Sequence, residues 1–340
     1  MKALLIDYGN HYKQCVHVNR LYSEYNTTIL THVSHADKYK NDINGCEFKI
    51  LSCNVRMYNL FSLILLFILS WRYERIVFVT GFEYVHGLQK RIISIFWYVY
   101  CRIFGKKVNL YIKNSERYKL GWFKSSLRYV RGLYFESDLL RSNFVDSCDF
   151  FISGKCYTSY VYYYSKQPEN SSIVLSKALV RVGLVGSLDE TRRDYSVIAN
   201  NSFENIEFIL AGKDTPSRNL ITSSLKNKII VQKQSYSSEE LDFLMSGCDI
   251  LLCLNKSTLS YGINKGTGAF ADAISVGKPI IAPTWIDEEK EFSSFTHYFS
   301  NEQELVGLLR SLNLKEVSQL SNTLNFNKFS LERVRKAIEV

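Results

Sequence analysis

Residues 249–282 read DILLCLNKSTLSYGINKGTGAFADAISVGKPIIA and contain a complete strand–helix–strand unit. The apolar run 249–254 has the composition of a buried parallel strand. After a polar loop, segment 267–276 predicts a helix and 278–282 predicts the next strand. Pro279 fixes the exit from the helix, because proline cannot continue it. A strand, a crossover helix and a second strand together indicate a parallel sheet.

The same alternation extends toward both ends of the chain. In the C-terminal half we predict further strands at 180–185, 207–210 and 228–231, and helices at 190–199, 238–246, 302–312, 315–323 and 330–339. In the N-terminal half we predict strands at 2–7, 28–33, 48–53, 75–80, 107–112 and 149–153, and helices at 57–71, 88–104 and 124–147. Both halves therefore belong to the α/β class.

A chain of 340 residues is too long for one ordinary domain and suits two of about 170 residues each. Segment 166–177 (KQPENSSIVLSK) interrupts the strand–helix pattern with proline, asparagine and serine, and it predicts the linker. We therefore predict an N-terminal domain at 1–165 and a C-terminal domain at 178–325. A terminal helix in 326–340 is a candidate to pack back on the N-terminal domain.

Positive charge is concentrated in the first half of the chain. Residues 1–177 carry 24 Lys+Arg against 13 Asp+Glu, whereas residues 178–340 carry 18 against 20. Window 90–131 alone holds eleven basic residues and one acid, Glu116. This asymmetry indicates an anionic partner, for which nucleic acid and an anionic membrane leaflet are candidates. Because the cations form no known nucleic-acid motif, we expect a membrane surface and no nucleic acid.

The aromatic and basic window 90–131 has two interpretations. In one, aromatic residues such as Trp122 and Phe123 lie with the cations at a bilayer interface, beside a lipid-linked acceptor. In the other, the cations are solvated and the apolar residues pack a core helix. The residues of that core helix are Ile92, Ile93, Ile95, Phe96, Val99 and Ile103.

The eight cysteines form no CxxC pair and no Cys/His cluster with zinc spacing. The closest groupings are Cys46 with Cys53 and Cys248 with Cys253, which buried thiols explain, so we expect a reduced, cytosolic compartment. Residues 1–10 lack the pattern of a signal peptide. The most apolar stretch, 57–71, is shorter than the roughly 20 residues of a spanning helix, and we expect no transmembrane segment.

Two glycine-containing loops at predicted strand ends are candidate phosphate sites. Gly186 follows strand 180–185, with Ser187, Arg192 and Arg193 after it. Glycine lets a backbone approach a ligand closely, and arginines can neutralise a diphosphate through charge-assisted hydrogen bonds. The alternative is a tight turn with two solvated arginines.

The second loop precedes helix 267–276 and contains Lys265, Gly266, Thr267 and Gly268. Glycines, a capping hydroxyl and a lysine make an anion-binding nest, and Asp272, one helical turn further, can accept hydrogen bonds from sugar or ribose hydroxyls. An ordinary glycine loop with a good helix cap is the alternative. Gly212, after strand 207–210, is a further candidate to line the base or the diphosphate, or is part of a plain turn.

These segments, in this order, resemble the C-terminal half of GT-B glycosyltransferases, in particular the family 4-like enzymes of bacterial O-antigen and capsule synthesis. The resemblance covers about residues 180–285. Gly186 and Arg193 match the glycine and the later cation that contact the donor diphosphate. Asp272 opens the matching segment DAISVGKPII and corresponds to the acid that holds the ribose. Ser187 stands at a position where these enzymes commonly have an arginine, and Asn264 stands at the position of their first glutamate. Whether the anomeric configuration of the sugar is retained or inverted therefore stays open.

The resemblance implies two Rossmann-like parallel-sheet domains facing across a cleft, the N-terminal one for acceptor and the C-terminal one for a nucleotide sugar. No Asp-x-Asp triplet occurs in the chain. We therefore expect no metal or other cofactor. Arginine, lysine and helix N-termini are expected to balance the negative charge of the leaving diphosphate.

The acceptor half has weaker signals. Polar groups at its predicted strand ends include His11, Glu83, His86 and Glu116. Among these we select Glu116 and His11 as candidate catalytic residues, with His11 also placed to contact acceptor.

The sequence thus predicts a hexosyltransferase-type enzyme that moves a sugar from a nucleotide diphosphate to a growing, lipid-linked surface glycan. We expect it to be cytoplasmic and peripheral on the inner face of the cell membrane. Two alternatives stay open: a sugar-nucleotide epimerase on the same fold, and a non-catalytic membrane-associated binding protein.

Overall fold

The computed structural model describes residues 1–7, 12–32, 48–53, 60–80, 89–119, 121–148, 150–160, 179–212, 227–233 and 238–338. Contacts divide the chain into two compact units. The first comprises Met1–Val161, Asn264–Gly266 and Glu332–Val340, and the second comprises Tyr162–Ile263 and Thr267–Leu331. The predicted linker, 166–177, lies outside the described residues, and the predicted domain boundaries stay predictions.

The first unit contains a parallel sheet of seven strands in the order β3-β2-β1-β4-β5-β6-β7. Its strands are β1 (Lys2–Asp7), β2 (Asn26–His32), β3 (Phe48–Cys53), β4 (Arg75–Thr80), β5 (Val108–Ile112), β6 (Gly132–Phe135) and β7 (Cys156–Thr158). Its helices are α1 (Tyr12–Leu21), α2 (Leu60–Ser70), α3 (Gln89–Phe104), α4 (Gly121–Leu127), α5 (Asp138–Val145) and α6 (Phe150–Ser153).

β1 is an interior strand of this sheet, and its side chains from Ala3 to Ile6 are apolar on both faces. Residues Ala3 to Ile6 are fully buried, and β1 pairs in parallel with both β2 and β4. Strand order reverses between β1 and β4, so the sheet is doubly wound. Residues of α2, α3 and α4 share one core with Leu4 and Ile6 of β1, whereas α1 contributes no residue to that core.

The core beneath α2 and α3 is aromatic. Trp97 and Tyr100 of α3 are fully buried, and the rings of Phe78 and Trp97 meet edge to face with centroids 5.0 Å apart. The hydroxyls of Ser70 and Tyr100 are 2.6 Å apart, which joins the C-terminal part of α2 to α3. This packing explains why the N-terminal half needs so many large side chains.

Two predicted elements of this unit are wrong. Segment 124–147 is not one helix but contains the end of α4, the strand β6 and α5. Segment 149–153 contains the helix α6 instead of a strand, and the edge strand is β7. The Ser137 side chain caps α5 by accepting from the amide of Leu140 at 3.2 Å. A four-residue strand is too short for apolar periodicity to distinguish it from a helical segment.

Both interpretations of window 90–131 need correction. Phe123 is buried against the core and does not lie at the surface. Of the proposed core-helix residues, Ile93 is buried, but Ile95, Val99 and Ile103 are exposed. The side chain of Trp122 lies outside the described ones.

The second unit contains a parallel sheet of six strands in the order β10-β9-β8-β11-β12-β13. Its strands are β8 (Val180–Val185), β9 (Ile206–Gly212), β10 (Lys228–Lys233), β11 (Ile250–Leu252), β12 (Ile280–Pro283) and β13 (Thr296–Phe299). Its helices are α7 (Ser196–Asn200), α8 (Ser238–Ser246), α9 (Gly268–Val276), α10 (Glu302–Ser311) and α11 (Leu314–Thr323). The sequence analysis missed β13, and it made the helix at 190–199 too long.

The last helix, α12 (Leu331–Ile338), follows the second unit in sequence. Residues Glu332–Val340 nevertheless group with the first unit. There the guanidinium of Arg335 donates to the carbonyl oxygen of Arg20 at 2.8 Å and to the hydroxyl of Ser23.

A buried carboxylate stabilises the pairing of three adjacent strands in the second unit. Glu207 of β9 is almost fully buried and accepts from Arg181 at 3.0 Å and from Lys228 at 2.6 Å. Burial acts to raise the pKa of Glu207, but the hydrogen bonds and charges of Lys228 and Arg181 outweigh it and lower that pKa. Glu207 is therefore ionised in the folded protein at neutral pH.

We predict that Glu207→Gln lowers the free energy of unfolding at pH 7 by about 1–3 kcal/mol, because charge-assisted hydrogen bonds are lost. A lowered folded-state pKa stabilises the protein above the unfolded value of about 4.3 and stops doing so as pH falls through the folded value. The difference between variant and parent should therefore shrink below about pH 4.3. Urea unfolding at several pH values measures it, with the exposed Glu289→Gln as control. An equal loss of stability at every pH would contradict this account.

The ends of β8 and β9 approach too closely for a side chain at Gly212. A Cβ atom at this position would lie 1.8 Å from the carbonyl oxygen of Gly186. The amide of Gly186 donates to the carbonyl oxygen of Ala211 at 2.9 Å, so the two strand ends cannot separate without losing that bond.

We predict that Gly212→Ala lowers the free energy of unfolding by about 1–3 kcal/mol, as overpacking does in a rigid interior. Thermal or urea unfolding measures the change. Gly307→Ala is the matched control, because Gly307 lies inside α10 and a Cβ there meets no atom within 4 Å. The control should gain about 0.5–1 kcal/mol from alanine's higher helix propensity. An unchanged stability of Gly212→Ala would show that the strand ends can move apart freely.

Candidate functional site

The candidate site lies at the carboxyl ends of β8 and β11 in the second unit. The strand order reverses between these two strands, and ligands of doubly wound sheets bind at such switch points. A cavity of about 140 Å³ opens there. Its lining comes from three segments: 185–193 after β8, the loop after β11, and the start of α9. The lining residues are Val185, Gly186, Ser187, Arg192, Arg193, Asn255, Tyr261, Thr267, Gly268, Ala269 and Asp272.

The segment after β8 is a hydrogen-bonded turn, which is why the predicted helix begins only at Ser196. The carbonyl oxygen of Asp189 accepts from the amides of Arg192 and Arg193, each at 3.0 Å. Its carboxylate accepts from the amide of Thr191 at 2.9 Å, which lowers the pKa of Asp189. Aspartate commonly replaces the first helical hydrogen bonds with local bonds of this kind.

Arg193 is the central side chain of the cavity. Its backbone pairs with Asn255 in an isolated antiparallel bridge, and its Nη2 donates to the carbonyl oxygen of Val185. Its Nη1 is buried without a hydrogen bond of good geometry among the described residues, and the guanidinium also interacts with the hydroxyl of Tyr195, which acts to lower the pKa of that tyrosine against the effect of burial. A buried guanidinium nitrogen without a partner is unfavourable by several kcal/mol unless an anion or water completes it. The site is therefore suited to an anionic ligand.

Gly186 makes room for this arginine. Its φ of +101° is favoured by glycine alone, and a Cβ there would lie 3.2 Å from Nη2 of Arg193. The glycine thus positions the guanidinium, besides opening the backbone toward a ligand.

Arg192 lies at the exposed side of the cavity. Its Nε donates to the hydroxyl of Tyr261 at 3.1 Å, and its carbonyl oxygen accepts from the amide of Lys256 at 2.9 Å. These bonds tie the segment after β8 to the loop after β11, and they hold the second arginine near the entrance.

The start of α9 supplies the opposite wall. Thr267 is the N-cap and accepts from the amide of Ala269 at 3.3 Å, and Asn255 donates to the same hydroxyl at 3.3 Å. The amides of the first helical turn and the helix dipole both favour a negative charge at this end. Asp272 follows one turn later and also lines the cavity.

The C-terminal end of α9 matches the prediction from sequence. Gly277 adopts a left-handed conformation with φ of 65°, and its amide bonds back to the carbonyl oxygen of Ile274. Pro279 then leads into β12, which places α9 with its N-terminus at the carboxyl edge of the sheet.

Seven of the ten predicted donor residues line this one cavity. They are Gly186, Ser187, Arg192, Arg193, Thr267, Gly268 and Asp272. Gly212 does not line it, because its role is the close approach of β9 to β8. Lys265 and Gly266 also do not line it: they group with the first unit, in which Lys265 pairs with Asn114.

Four lining residues were not predicted from the sequence: the apolar Val185 and Ala269, and the polar Asn255 and Tyr261. Asn255 follows the predicted strand 249–254 directly, and polar residues at such strand ends were the available signal. Tyr261 had no signal, because only the folded loop brings its hydroxyl to Arg192.

Of the candidate acceptor residues, the structure describes Glu116, which belongs to the first unit. Glu116 is exposed and forms an ion pair with Lys119 at 2.9 Å. His11, Glu83 and His86 lie outside the described residues, so their candidacy stays a prediction.

The structure adds one carboxylate that the sequence analysis missed. Glu136 follows β6, inside the segment that had been assigned to a helix. Burial raises the pKa of Glu136, while the charge of Lys113 acts to lower it. Lys113 follows β5, which neighbours β6, so both groups lie at the carboxyl edge of the first sheet.

Within the described residues, no group of three or more His, Cys, Asp or Glu side chains could hold a metal ion. No helix in the described part of the chain is both long and apolar enough to cross a membrane.

Comparison with solved structures identifies the architecture. The chain superimposes on Anabaena HepE in complex with UDP-glucose with a TM-score of 0.67 at 12% identity, covering 100% of this chain and 98% of the other. For the lipopolysaccharide outer core galactosyltransferase WaaB, the TM-score is 0.59 at 11% identity, with 100% and 98% covered. For Acinetobacter baumannii MurG it is 0.51 at 9% identity, with 99% of both chains covered.

The sequence itself matches no protein-family model and no curated protein. Identities of 9–12% over whole chains show a common fold. The two predicted Rossmann-like parallel-sheet domains are confirmed, and the chain has the GT-B fold of glycosyltransferases.

Proposed function

We propose that this protein is a glycosyltransferase that moves a sugar from a nucleotide diphosphate donor to a glycan acceptor. The observation that carries the proposal is the buried guanidinium nitrogen of Arg193 in a cavity facing the N-terminus of α9. Two features that favour anions thus meet at one switch point, where nucleotides bind in doubly wound folds.

The leaving diphosphate gains charge as the bond to the sugar breaks. The guanidinium of Arg193 is already held by the hydrogen bond from Nη2 to the carbonyl oxygen of Val185. An N–H of its Nη1 can therefore donate to a phosphate oxygen without a change in the side-chain conformation. The first amides of α9 can bind a second oxygen, and Arg192 adds positive charge at the entrance. These groups would stabilise the transition state more than the intact donor.

We assign the nucleoside of the donor to the part of the cavity that Asp272 lines. A carboxylate accepts hydrogen bonds from neighbouring hydroxyls, as ribose and sugars present them. HepE, which has the same fold, was crystallised with UDP-glucose. This supports a sugar nucleotide as donor, and a hexose as the transferred group, for the present chain.

The acceptor is proposed to be a growing lipid-linked surface glycan, with the protein peripheral on the cytoplasmic face of an anionic membrane. The excess of Lys and Arg in residues 1–177 supports this partner. Departure of the diphosphate is proposed to need no metal, since arginine and a helix terminus supply positive charge.

The catalytic base is proposed from three groups in the first unit. Glu116 and His11 stay candidates from the sequence. Glu136 is a third, because it lies at a strand end and burial raises its pKa, which makes its carboxylate a stronger proton acceptor.

We predict that one or more of UDP, GDP and CDP raises the melting temperature of the protein. A ligand at one hundred times its Kd stabilises the folded state by about 2.7 kcal/mol. The screen should give the same shifts with and without EDTA if no metal bridges the diphosphate. A flat response to all three nucleotides would contradict the proposal, and conversion of the donor sugar without acceptor would favour an epimerase.

We predict that Arg193→Ala weakens binding of the active nucleotide by about tenfold to one hundredfold, as loss of one or two charge-assisted bonds implies. Turnover should fall by at least about 100-fold. Arg193→Lys should recover part of the affinity, because it keeps the charge but not the planar fork. The exposed Arg310→Ala is the matched control. Calorimetric titration and sugar-transfer assays give both numbers, and parental values for Arg193→Ala would remove its assigned role.

A further inference from the structure

The outer surface of α2 is unusual for a helix on the surface of a folded unit. All its residues are apolar except Ser62 and Ser70, and it carries no charge. Leu63, Leu66 and Leu69 point into the core. A helix that is apolar all round is normally buried on every side, whereas the outward face of a surface helix is polar.

The outward side chains of α2 and α3 form two exposed apolar stripes. On α2 and just after it, Ile64, Ile68 and Trp71 follow a spacing of four and three residues. On α3, Ile95, Val99 and Ile103 follow a spacing of four. Each of the six is between 46% and 64% exposed. Residues at these spacings share one face of a helix.

The two stripes belong to one surface. Both helices cover the same face of the first sheet, and the rings of Phe67 and Trp71 each lie 5.1 Å from that of Phe104. We call these six exposed residues and the cations near them the α2–α3 face. Six large apolar side chains exposed on two neighbouring helices indicate an interaction site.

Charge identifies the occupant of the α2–α3 face. Arg72 follows α2, Arg102 lies in the last turn of α3, and Lys106 follows α3; all three are exposed. Neither helix contains an acidic residue. A symmetric contact with a second copy would bring the cations Arg72, Arg102 and Lys106 toward the same three cations of that copy, which like charges oppose. An anionic lipid surface is complementary to both features, because its acyl chains can take up the apolar stripes and its headgroups can pair with the cations.

We propose that the α2–α3 face docks the protein on an anionic bilayer by inserting its six apolar side chains between the headgroups. This deepens the membrane association proposed above and does not depend on sugar transfer. The helices lie in the membrane plane: α2, with 11 residues, is about 16 Å long, roughly half the hydrocarbon thickness. Trp71 lies next to Arg72, as aromatic and basic residues do at the level of the headgroups.

Vesicle co-sedimentation tests the proposal with the full chain. Parent protein should bind vesicles of phosphatidylglycerol and phosphatidylcholine more tightly than phosphatidylcholine alone, and less tightly at high salt. Ile64→Ser/Ile68→Ser/Val99→Ser should lower the partition coefficient at least tenfold. Arg72→Gln/Arg102→Gln/Lys106→Gln should remove the preference for the anionic vesicles. Phe243→Ser/Leu314→Ser is the matched control, since both residues are exposed in the second unit, and it should bind as the parent does.

The proposal is overturned if the parent binds neither kind of vesicle, or if the serine variant binds vesicles as tightly as the parent. It is also overturned if sedimentation equilibrium shows that the parent is a dimer and the serine variant is a monomer. Melting temperatures of the variants without lipid check that the folds are intact. The nucleotide-induced shift of the serine variant should equal that of the parent. If the parent binds vesicles but no nucleotide, the proposed transferase fails while this inference stands.

Discussion

Every strand pair described in the two sheets is parallel, and a parallel pair can be joined only by a chain segment that crosses one face of the sheet. Helices therefore cover both faces, and the strands in between are largely buried, as Ala3 to Ile6 of β1 are. The same constraint brings all carboxyl ends of a sheet to one edge. The candidate site in the second unit lies at that edge, at the point where the strand order reverses and the loops on either side leave a crevice.

Within that edge, a few local bonds decide the chemistry. The Asp189 turn stops a helix from starting early, and so the guanidinium of Arg193 turns back onto the end of β8. Gly186 leaves space for it, and Thr267 with Asn255 fixes the start of α9 on the other side. An anion entering the cavity meets a preorganised donor set, which is the condition for stabilising charge that develops in a reaction.

The covering helices have a second consequence. Their inward faces must be apolar because they pack on the sheet, but the sheet does not constrain the composition of their outward faces. In α2 and α3 the outward faces are apolar, while the charged residues lie near the helix ends. The candidate site of the second unit lies in loops at the carboxyl edge of a parallel sheet, whereas the α2–α3 face of the first unit lies on helices that connect parallel strands.

Local patterns in the sequence were sufficient for most elements. Strands β3, β4 and β8 and helix α8 were predicted with the bounds that the structure has, because long apolar runs and clear breakers mark them. The glycine and proline after α9 likewise fixed the helix end and the next strand. The four-residue elements β6 and α6 were not predicted, because four residues are too few for either period to show and neither has the flanking glycine and proline that mark β12.

For the site, the sequence alone determined that Gly186 and Arg193 follow strand β8 and that Asp272 lies in the first turns of α9, so that all three belong to one edge of the sheet. Only the tertiary structure decided that Lys265 and Gly212 stand outside the cavity and that Asn255 and Tyr261 line it. It alone decided that Trp97 and Tyr100 point inward while Ile95 and Val99 point outward. The physical reason is the same in each case. Composition and spacing specify which residues share an element and a face, but a residue's neighbours come from segments far away in the chain.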